Sequence, residues 1–326
     1  MLPALVLTAG LGSRLDPITR LVAKAAVPLG DRALIEHVLD WLVAEGVTDA
    51  VLNLHHRPET ITAIVGDGAH LGLRVRYSWE MPLLGSAGGP RHALPLLDSD
   101  TFLIVNGDTL CDVALAPMIA AHRASRAAAT LAVVPNPAPE HYNGIVVDEH
   151  DQIVAFVPRG HDGPTWHFVG VQVAAASLFD PLPDNVPAES VHGMYRRADG
   201  GPRPGLRAHR VSSRFIDVGT PADYLGAAMT IAGGREAHTG AAIAPSALVT
   251  GSLVWPGARI GEHAVLDQCI VTNVSVPAGF HAERAVLVPA SVWRETDRAT
   301  VTSGLACFAR DPEAARKQVD SEPPEK

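Results

Sequence analysis

The sequence predicts an α/β protein with a mostly parallel sheet, followed by a short parallel β-helix. Two observations indicate this. In the first half, short apolar runs alternate with segments of helical spacing, and a sheet built from such units is covered by helices on both faces. From about residue 240, apolar residues recur every six residues, which is the spacing of the faces of a β-helix.

The alternation in the first half predicts elements with short connections between them. Strands are expected at 4–7, 49–54, 73–79, 101–105 and 130–134, and helices at 33–45, 58–65, 89–97 and 118–125. Residues from about 143 to 225 are richer in turns, and they contain a predicted hairpin and a further strand at 144–147, 152–157 and 168–173. Ligands of parallel sheets bind at the carboxyl ends of the strands, and we expect the turn-rich segment to complete that site.

The six-residue spacing sets the predicted domain organisation. Leu248, Val254, Ile260 and Leu266 follow the repeat, Ile270 and Val276 resume it after a slip, and small residues precede the first four by two positions. Two to three coils fit this length. We predict an α/β domain over 1–235, a hexapeptide-repeat β-helix over 240–308 and a disordered tail over 311–326.

The composition narrows the classes of function. The chain has 326 residues, of which 47% are hydrophobic and 19% charged, so a sizeable core is expected. A net charge of −9 without a basic run argues against nucleic acid as a partner. The sequence contains no run of about 18 apolar residues, so no membrane span is predicted. Its three cysteines are widely spaced, which fits a reducing cytoplasm.

A glycine loop with basic residues follows the first predicted strand. Gly10 and Gly12 allow backbone N–H groups to approach phosphate oxygens, Arg14 adds a planar fork of donors, and Lys24 adds a point charge. The loop lacks the lysine-serine/threonine ending of a P-loop, and Leu15 stands where a dinucleotide fingerprint has its third glycine. The pattern indicates a loop that binds a triphosphate. The alternative is an ordinary strand-to-helix turn.

The order of these motifs resembles the sugar-1-phosphate nucleotidyltransferases, with a layout like that of mannose-1-phosphate guanylyltransferase-like proteins. Gly10-Leu11-Gly12-Ser13-Arg14, Pro17-Ile18-Thr19 and Lys24-Ala25-Ala26-Val27-Pro28 match in order, with Ala23 in place of the usual proline. The resemblance implies a Rossmann-like nucleotidyltransferase domain and a left-handed β-helix. It also implies nucleotide binding by Ala9, Gly10, Gly12 and Ser13, and catalytic roles for Arg14 and Lys24.

Two aspartates at predicted strand ends are candidate metal ligands. Asp108 follows the strand at 101–105, and Asp217 ends a run that leads into Gly219-Thr220-Pro221. Carboxylates together with substrate phosphates are the ligands that Mg²⁺ prefers. The resemblance implies that Asp108 and Asp217 hold this Mg²⁺; a turn or helix-cap aspartate is the alternative for Asp108. Asp112 is expected to cap the next helix, and Asp223 to be a first-turn helix charge.

A second glycine run is the candidate base site. In the family a similar run lies against the nucleobase and ribose, and here Gly85 and Gly88 would let the base edge approach the backbone. Glu80 stands where the family often places a side chain that contacts the base. A carboxylate only accepts hydrogen bonds, and guanine offers it two adjacent donors, so GTP is favoured. A surface glutamate at a strand end is the alternative.

The sugar-phosphate side departs from the family pattern. Gly144 supplies the expected glycine after a strand, but Phe156-Val157-Pro158-Arg159 lacks the usual glutamate and lysine. Arg159 is expected to contact the sugar phosphate instead, since arginine grips phosphate well.

The sequence thus predicts transfer of a nucleotidyl group from an NTP to a sugar 1-phosphate, with release of pyrophosphate. GTP and mannose-type 1-phosphates are favoured, although the residues do not determine the sugar. An inactive nucleotide-sugar-binding paralogue stays open, and a glycosyltransferase and a β-helix acyltransferase are weaker alternatives. A cytoplasmic homo-oligomer, formed through the β-helix or the catalytic domain, is expected.

Overall fold

The protein is described from a computed structural model, which covers residues 1–233, 240–302 and 304–310. The chain forms two compact units. The first comprises Met1–Leu11 and Leu34–Ile216, and the second comprises Gly12–Ala33 together with the described residues from Asp217 on. The expected boundary near residues 235–240 stays a prediction, and the tail expected to be disordered lies outside the described residues.

The helices and strands follow in chain order. The helices are α1 (Leu34–Ala44), α2 (Pro58–Val65), α3 (Gly85–Leu97), α4 (Leu115–Ser125) and α5 (Pro221–Ile231). The strands up to residue 233 are β1 (Ala4–Leu7), β2 (Pro28–Leu29), β3 (Arg32–Ala33), β4 (Asp49–Leu54), β5 (Arg74–Trp79), β6 (Thr101–Asn106), β7 (Thr109–Cys111), β8 (Ala129–Pro135), β9 (Gly144–Val147), β10 (Ile153–Val157), β11 (Trp166–Ala175), β12 (Leu206–Arg210) and β13 (Phe215–Asp217).

The first unit contains a nine-stranded mixed sheet in the order β10-β9-β11-β6-β1-β4-β5, with β8 paired to β11 and β12 to β8. The strands β6, β1, β4 and β5 are mutually parallel, as the alternation of strand and helix predicts. The strand β11 is antiparallel to β6, β8 and β9. The prediction of an α/β fold is therefore confirmed, and the antiparallel pairs come from the turn-rich part of the chain.

Two helices begin earlier than the sequence predicts, because tertiary contacts satisfy their first N–H groups. Helix α3 begins at Gly85 instead of Gly89, and the N–H groups of Ala87 and Gly88 donate to the Ala188 carbonyl at 2.9 and 3.1 Å. Helix α4 begins at Leu115, whose N–H group donates to a distant carboxylate, that of Glu45, at 2.8 Å.

Asp112 does not cap helix α4, so that prediction is wrong. The residue at the N-cap position is Ala114. The carboxylate of Asp112 instead accepts hydrogen bonds from the Ser213 hydroxyl at 2.7 Å and from the Arg214 N–H group at 2.9 Å.

The second unit contains the β-helix. Its strands are β14 (Ala242–Ile243), β15 (Leu248–Thr250), β16 (Leu253–Val254), β17 (Arg259–Ile260), β18 (Val265–Asp267), β19 (Ile270–Val271), β20 (Ser275–Val276), β21 (His281–Glu283), β22 (Ala285–Pro289), β23 (Ala299–Thr302) and β24 (Leu305–Ala309). Parallel pairing stacks them as β14-β17-β20, β15-β18-β21 and β16-β19-β22, which gives three coils. Strands β24 and β23 extend the third face in antiparallel pairing.

The register of the repeat differs from the predicted one at two positions. Leu248 is 64% exposed, and its neighbour Val249 is buried in the β-helix core instead. Likewise Val271, and not Ile270, belongs to that core. The core positions from 249 to 254, from 266 to 271 and from 271 to 276 are five residues apart rather than six. Paired strands are accordingly 17 residues apart between the first and second coils but 16 residues apart between the second and third.

Contacts inside the second unit connect residues 12–33 to the residues after 217. The Arg20 guanidinium pairs with Asp16 and Asp297, donates to the Val292 carbonyl at 2.9 Å and lies over the Phe308 ring at 5.6 Å from its centroid. The hydroxyl of Tyr224 in α5 donates to the Pro28 carbonyl, and Trp255 Nε1 donates to that hydroxyl at 2.9 Å. The loop at 12–33 is thus held by helix α5 and by residues that follow the third coil.

The described residues test the remaining expectations only in part. None of the helices among them is long and apolar enough to span a membrane. The three cysteines, all within the described ranges, are free thiols. A cytoplasmic location and self-association remain predictions.

Replacing Arg20 with alanine should destabilise the second unit. The side chains of Arg20 and Asp297 are both only 10% exposed, so the carboxylate loses its charged partner in a largely buried place and keeps the hydrogen bond from the Arg294 N–H group. We expect the free energy of unfolding to fall by about 1–3 kcal/mol in urea denaturation at neutral pH. The matched control is Arg197→Ala, which removes an exposed pair with Asp199 and should cost less than about 1 kcal/mol.

The same pair predicts a pH dependence. The hydrogen bond from Arg20 lowers the pKa of Asp297 below its ordinary value of 3.8. A carboxyl group with a lowered pKa stabilises the fold above its unfolded pKa, and this contribution is lost as the pH falls through the folded one. The stability difference between wild type and Arg20→Ala should therefore narrow in acid; a constant difference down to about pH 2 would contradict this origin.

Candidate active site

The loop after β1 begins with N–H groups that are bound inside the first unit. Asn53, in β4, accepts through Oδ1 from the N–H group of Thr8 at 2.7 Å and from that of Ala9 at 3.4 Å. Gly10 comes next and is exposed. A Cβ atom built on Gly10 would meet no described residue within 4 Å, chain neighbours aside. The backbone at Gly10 is therefore open to a ligand, whereas the Ala9 N–H group already has an acceptor.

In the second unit, Gly12 is required by the packing of its own loop. Its φ of +61° favours glycine, and a Cβ atom there would lie 2.8 Å from Thr19 Cγ2 and 3.1 Å from Lys24 Cβ. The Thr19 hydroxyl donates to the Gly12 carbonyl at 3.2 Å. Lys24 is buried beside this turn, while Ser13 and Arg14 are exposed. Gly12 thus brings the loop close to Lys24.

Arg14 and Asp217 meet at Gly219 in the second unit. A Cβ atom built on Gly219 would lie 3.1 Å from Arg14 Nη1 and 3.2 Å from Asp217 Oδ2. Asp223 also approaches this point, and its carboxylate forms a capping box with Thr220 at the start of α5. The first-turn role of Asp223 is confirmed. Glycine at position 219 leaves room for a cationic and an anionic side chain at one place.

Asp108 follows β6 in the first unit. The preceding Gly107 lies so close to β1 that a Cβ atom would be 2.7 Å from Thr8 Cγ2 and 2.8 Å from the Leu7 carbonyl oxygen. The hydroxyl of Thr109 lies 3.4 Å from Asp108 Oδ1. The sequence Gly107-Asp108 therefore places a half-buried carboxylate beside the end of β1, where the glycine loop begins.

The donor chemistry of both aspartates fits Mg²⁺. Mg²⁺ is usually bound by one or two carboxylates, with waters and substrate phosphates completing an octahedron, so it does not require a preformed cage. No group of three or more candidate ligands gathers among the described residues. At Gly219, the Arg14 guanidinium next to Asp217 suits a metal-bound phosphate, because the carboxylate can face the metal and the guanidinium the phosphate oxygens.

The structure gives Glu80 protein partners for both of its carboxylate oxygens. Oε1 accepts from Asn53 Nδ2 at 2.6 Å, and Oε2 accepts from the Leu84 N–H group at 2.8 Å. The residue is 4% exposed, and a Cβ atom on Gly89 would lie 2.5 Å from Oε1. Glu80 is therefore a buried residue rather than a surface glutamate. Its expected contact with a nucleobase stays a prediction.

The first turn of helix α3, with its N-cap Leu84, is covered by the segment at 186–190. A Cβ atom on Gly85 would lie 2.8 Å from the Ala188 carbonyl oxygen, and one on Gly88 would lie 2.7 Å from that of Val186. The Ser86 hydroxyl donates to Glu189 at 2.7 Å and accepts from the Ser190 N–H group at 2.9 Å. The close approach of this segment thus explains why positions 85 and 88 are both glycine, without any contact to a nucleobase.

Gly144 and Arg159 are joined through Asn143. A Cβ atom on Gly144 would lie within 2.6–2.8 Å of the Thr165 side chain, so the glycine allows β9 to pack closely there. The Arg159 N–H group donates to Asn143 Oδ1 at 3.1 Å. The Arg159 side chain is exposed. This bond fixes Arg159 beside the turn that precedes Gly144.

An aromatic cluster beside this turn was missed by the sequence analysis. His167 lies 4.4 Å from Tyr142 and 5.0 Å from Phe215, measured between ring centroids. Burial lowers the pKa of His167, while a hydrogen bond to the Asn143 backbone opposes that shift. The three residues are far apart in sequence and follow no common spacing, so no local signal brings them together.

Known proteins similar to this chain point to one family. The family described as nucleotidyl transferase matches residues 3–233. The mannose-1-phosphate guanylyltransferase of Mycobacterium tuberculosis is 31% identical over 299 residues, which cover 86% of this chain and 83% of that protein. The mannose-1-phosphate guanyltransferase of Schizosaccharomyces pombe is 28% identical, over 80% of this chain and 73% of that protein.

A solved structure shares the fold. HddC from Yersinia pseudotuberculosis superposes with a TM-score of 0.62 at 21% identity, over 71% of this chain and 99% of that one. The sheet of the first unit and the family match define the class: an α/β nucleotidyltransferase. The chain belongs to the nucleotidyl transferase family, and the resemblance inferred from its motifs is confirmed.

Replacing Gly10 with alanine tests whether a nucleotide approaches this backbone. The fold has space for the added methyl group, and the φ of Gly10 lies outside the left-handed region. We therefore expect an unchanged melting temperature but at least about tenfold weaker nucleotide binding in calorimetry, because the methyl group would occupy the ligand's place. Gly226→Ala, which also adds a methyl group in open space, should keep full affinity. Normal binding by Gly10→Ala would place the nucleotide elsewhere.

Proposed function

We propose that this nucleotidyltransferase transfers a guanylyl group from GTP to a mannose-type sugar 1-phosphate, releasing pyrophosphate. The observation that carries the proposal is the similarity to relatives named mannose-1-phosphate guanylyltransferase, one of them matched over more than four fifths of both chains. It is consistent with two basic residues able to bind phosphate, Arg14 and Lys24, and with the two carboxylates at strand ends. The family match favours this reaction over a glycosyltransferase or a β-helix acyltransferase.

The reaction is an in-line displacement at the α-phosphorus of the nucleotide. An oxygen of the sugar phosphate forms the new bond to phosphorus, and the bond from phosphorus to the oxygen that bridges to the β-phosphate breaks. Pyrophosphate leaves with that electron pair, so no covalent enzyme intermediate is required. The protein's contribution is to align the two phosphates and to stabilise the charge of the leaving group.

Each basic residue has a proposed part in this step. The open backbone at Gly10 would receive the nucleotide, together with Ala9, Gly12 and Ser13 of the same loop. Arg14 would bind the leaving pyrophosphate through its planar guanidinium group, and Lys24 would offset charge that develops in the transition state.

Enzymes of this kind generally use a divalent metal. We propose Mg²⁺, which neutralises phosphate charge when bound, with Asp108 and Asp217 each serving as a ligand.

The sugar phosphate has proposed contacts of its own. Arg159 is exposed and fixed by its backbone to Asn143, so its guanidinium is available for a phosphate next to Gly144. This arrangement would replace the glutamate and lysine that the segment at 156–159 lacks.

Gly85 and Gly88 belong to the proposed base site. Their close packing against residues 186–190 keeps this first turn of helix α3 in one conformation.

A panel of nucleotides and sugars tests the proposal. GTP, ATP, UTP and dTTP are each combined with mannose 1-phosphate or glucose 1-phosphate in the presence of Mg²⁺, and pyrophosphate is measured. We expect GTP with mannose 1-phosphate to give the highest kcat/KM, with little release when the sugar phosphate is omitted. A better rate with UTP or dTTP would overturn the guanine assignment. No release in any combination would favour the inactive paralogue.

Replacing each aspartate with asparagine tests the metal ligands. Asp108→Asn and Asp217→Asn each remove one charge from a site that must offset several phosphate charges. We expect kcat to fall at least about a hundredfold, with a higher Mg²⁺ requirement and an unchanged melting temperature. The control is Asp112→Asn, an exposed aspartate in the same segment. A near-normal rate at saturating Mg²⁺ would remove that aspartate from the metal site.

A further inference from the structure

Asn53 and Glu80 form a buried hydrogen-bonded pair that connects two loops of the first unit. We propose that this pair is a positioning element for nucleotide binding: it fixes the start of the glycine loop at Thr8 and Ala9 and the start of helix α3 at Leu84. The inference rests on the proposed function in taking these two loops as nucleotide-binding. It assigns Glu80 a role beneath the site instead of contact with the base.

The first step concerns Asn53, whose side-chain orientation is fixed from both sides. Its Oδ1 accepts from the N–H groups of Thr8 and Ala9, and its Nδ2 donates to Glu80 Oε1 at 2.6 Å. Its backbone carbonyl also accepts from the Thr8 hydroxyl. Because the carboxylate can only accept, the amide nitrogen must face it, and the amide oxygen must face the loop. Asn53 is 3% exposed in this arrangement.

The second step concerns Glu80, which extends the connection to the other loop. Its Oε2 accepts from the N–H group of Leu84, the residue immediately before helix α3. Its own N–H group donates to the Leu54 carbonyl at 2.8 Å, and His55 Nδ1 lies 3.0 Å from its carbonyl oxygen. The side chain therefore sits on a backbone held by the end of β4. A hydrogen-bonded path runs from Thr8 through Asn53 and Glu80 to Leu84.

The third step is that the pair is closed off from a ligand. Helix α3 passes so near that a Cβ atom on Gly89 would lie 2.5 Å from Glu80 Oε1 and 2.9 Å from Asn53 Nδ2. Both carboxylate oxygens already have protein donors, and the residue is 4% exposed. A guanine edge would have to displace these donors to reach the carboxylate. The geometry suits the support of two loops better than direct recognition of a base.

The donor and acceptor pattern allows a swap experiment. In Glu80→Gln, the new amide group must point at a donor, either the Leu84 N–H group or Asn53 Nδ2. In Asn53→Asp, two carboxylates face each other across a distance that was 2.6 Å. In the double variant, the new carboxylate at position 53 would accept from Thr8 and from the new amide nitrogen at position 80. The oxygen of that amide would accept from Leu84, so the double variant restores every hydrogen bond with the same net charge.

The variants are compared as full-length proteins by calorimetric binding of GTP, ATP, UTP and dTTP, and by the KM values for nucleotide and for sugar 1-phosphate. We expect each single variant to bind every nucleotide at least about tenfold more weakly, with an unchanged order of preference and KM for the sugar phosphate. The double variant should recover to within about threefold of wild type. Glu149→Gln, at an exposed hairpin glutamate, is the matched control and should bind normally.

The remaining outcomes either support or overturn the positioning role of the Asn53–Glu80 pair. Normal nucleotide binding by both single variants overturns the positioning role. A changed base preference in Glu80→Gln that the double variant does not restore identifies Glu80 as a base contact instead. If the single variants fail to fold, recovery of folding and binding in the double variant supports the pair, whereas a folded double variant with weak binding overturns it. Wild-type protein that binds nucleotide but releases no pyrophosphate defeats the proposed function alone.

Discussion

The carboxylate of Glu80 is buried at the carboxyl end of the parallel strands, and a buried carboxylate is stable only when donors match it. Asn53 and the Leu84 N–H group are those donors, and each has a further consequence. Asn53 must turn its oxygen toward Thr8, which sets where the glycine loop leaves the sheet. The Leu84 N–H group holds the residue immediately before helix α3. One buried carboxyl group therefore connects the start of the glycine loop with the start of helix α3 in the first unit.

Glycines around the candidate site have different physical reasons, although they look alike in the sequence. Gly12 has a positive φ and packs against Thr19 and Lys24, while Gly107 allows the turn at Asp108 to touch the end of β1. Gly85 allows close contact with the segment at 186–190. Gly10 differs from these three, because the described part of the chain leaves open space around its backbone. No packing contact of the described residues therefore accounts for glycine at position 10.

In the second unit, residues near the end of the described chain hold the loop at 12–33. That loop contains Arg14 and Lys24, and it is attached to the C-terminal region through Arg20, which binds Asp297 and the Val292 carbonyl. Paired charges that are largely buried hold their geometry, since separation leaves an uncompensated charge. The loop that contains the basic residues proposed to bind phosphate is therefore anchored by a carboxylate that stands 277 positions after Arg20 in the chain.

Local patterns predicted the elements that depend on local forces. Periodicity indicated the parallel strands β1, β4, β5 and β6 and helices α1 and α2 close to their observed bounds, because burial of one face requires regular spacing. The motif order correctly indicated the nucleotidyltransferase family. The six-residue spacing indicated a β-helix of two to three coils, but it placed Leu248 in the core one residue early, since the shorter corner between Val249 and Val254 has no sequence marker.

The sequence by itself determined the fold class, the family and the residue types able to bind phosphate and metal. These follow from periodicity and from the chemistry of side chains in a recognisable order. Only the tertiary structure decided the partners of Glu80, the early start of α3 and the cluster of Tyr142, His167 and Phe215. Each depends on groups distant in sequence that satisfy one another's hydrogen bonds or share a buried surface. Such pairing is set by the packing of whole elements, so no local pattern of residues records it.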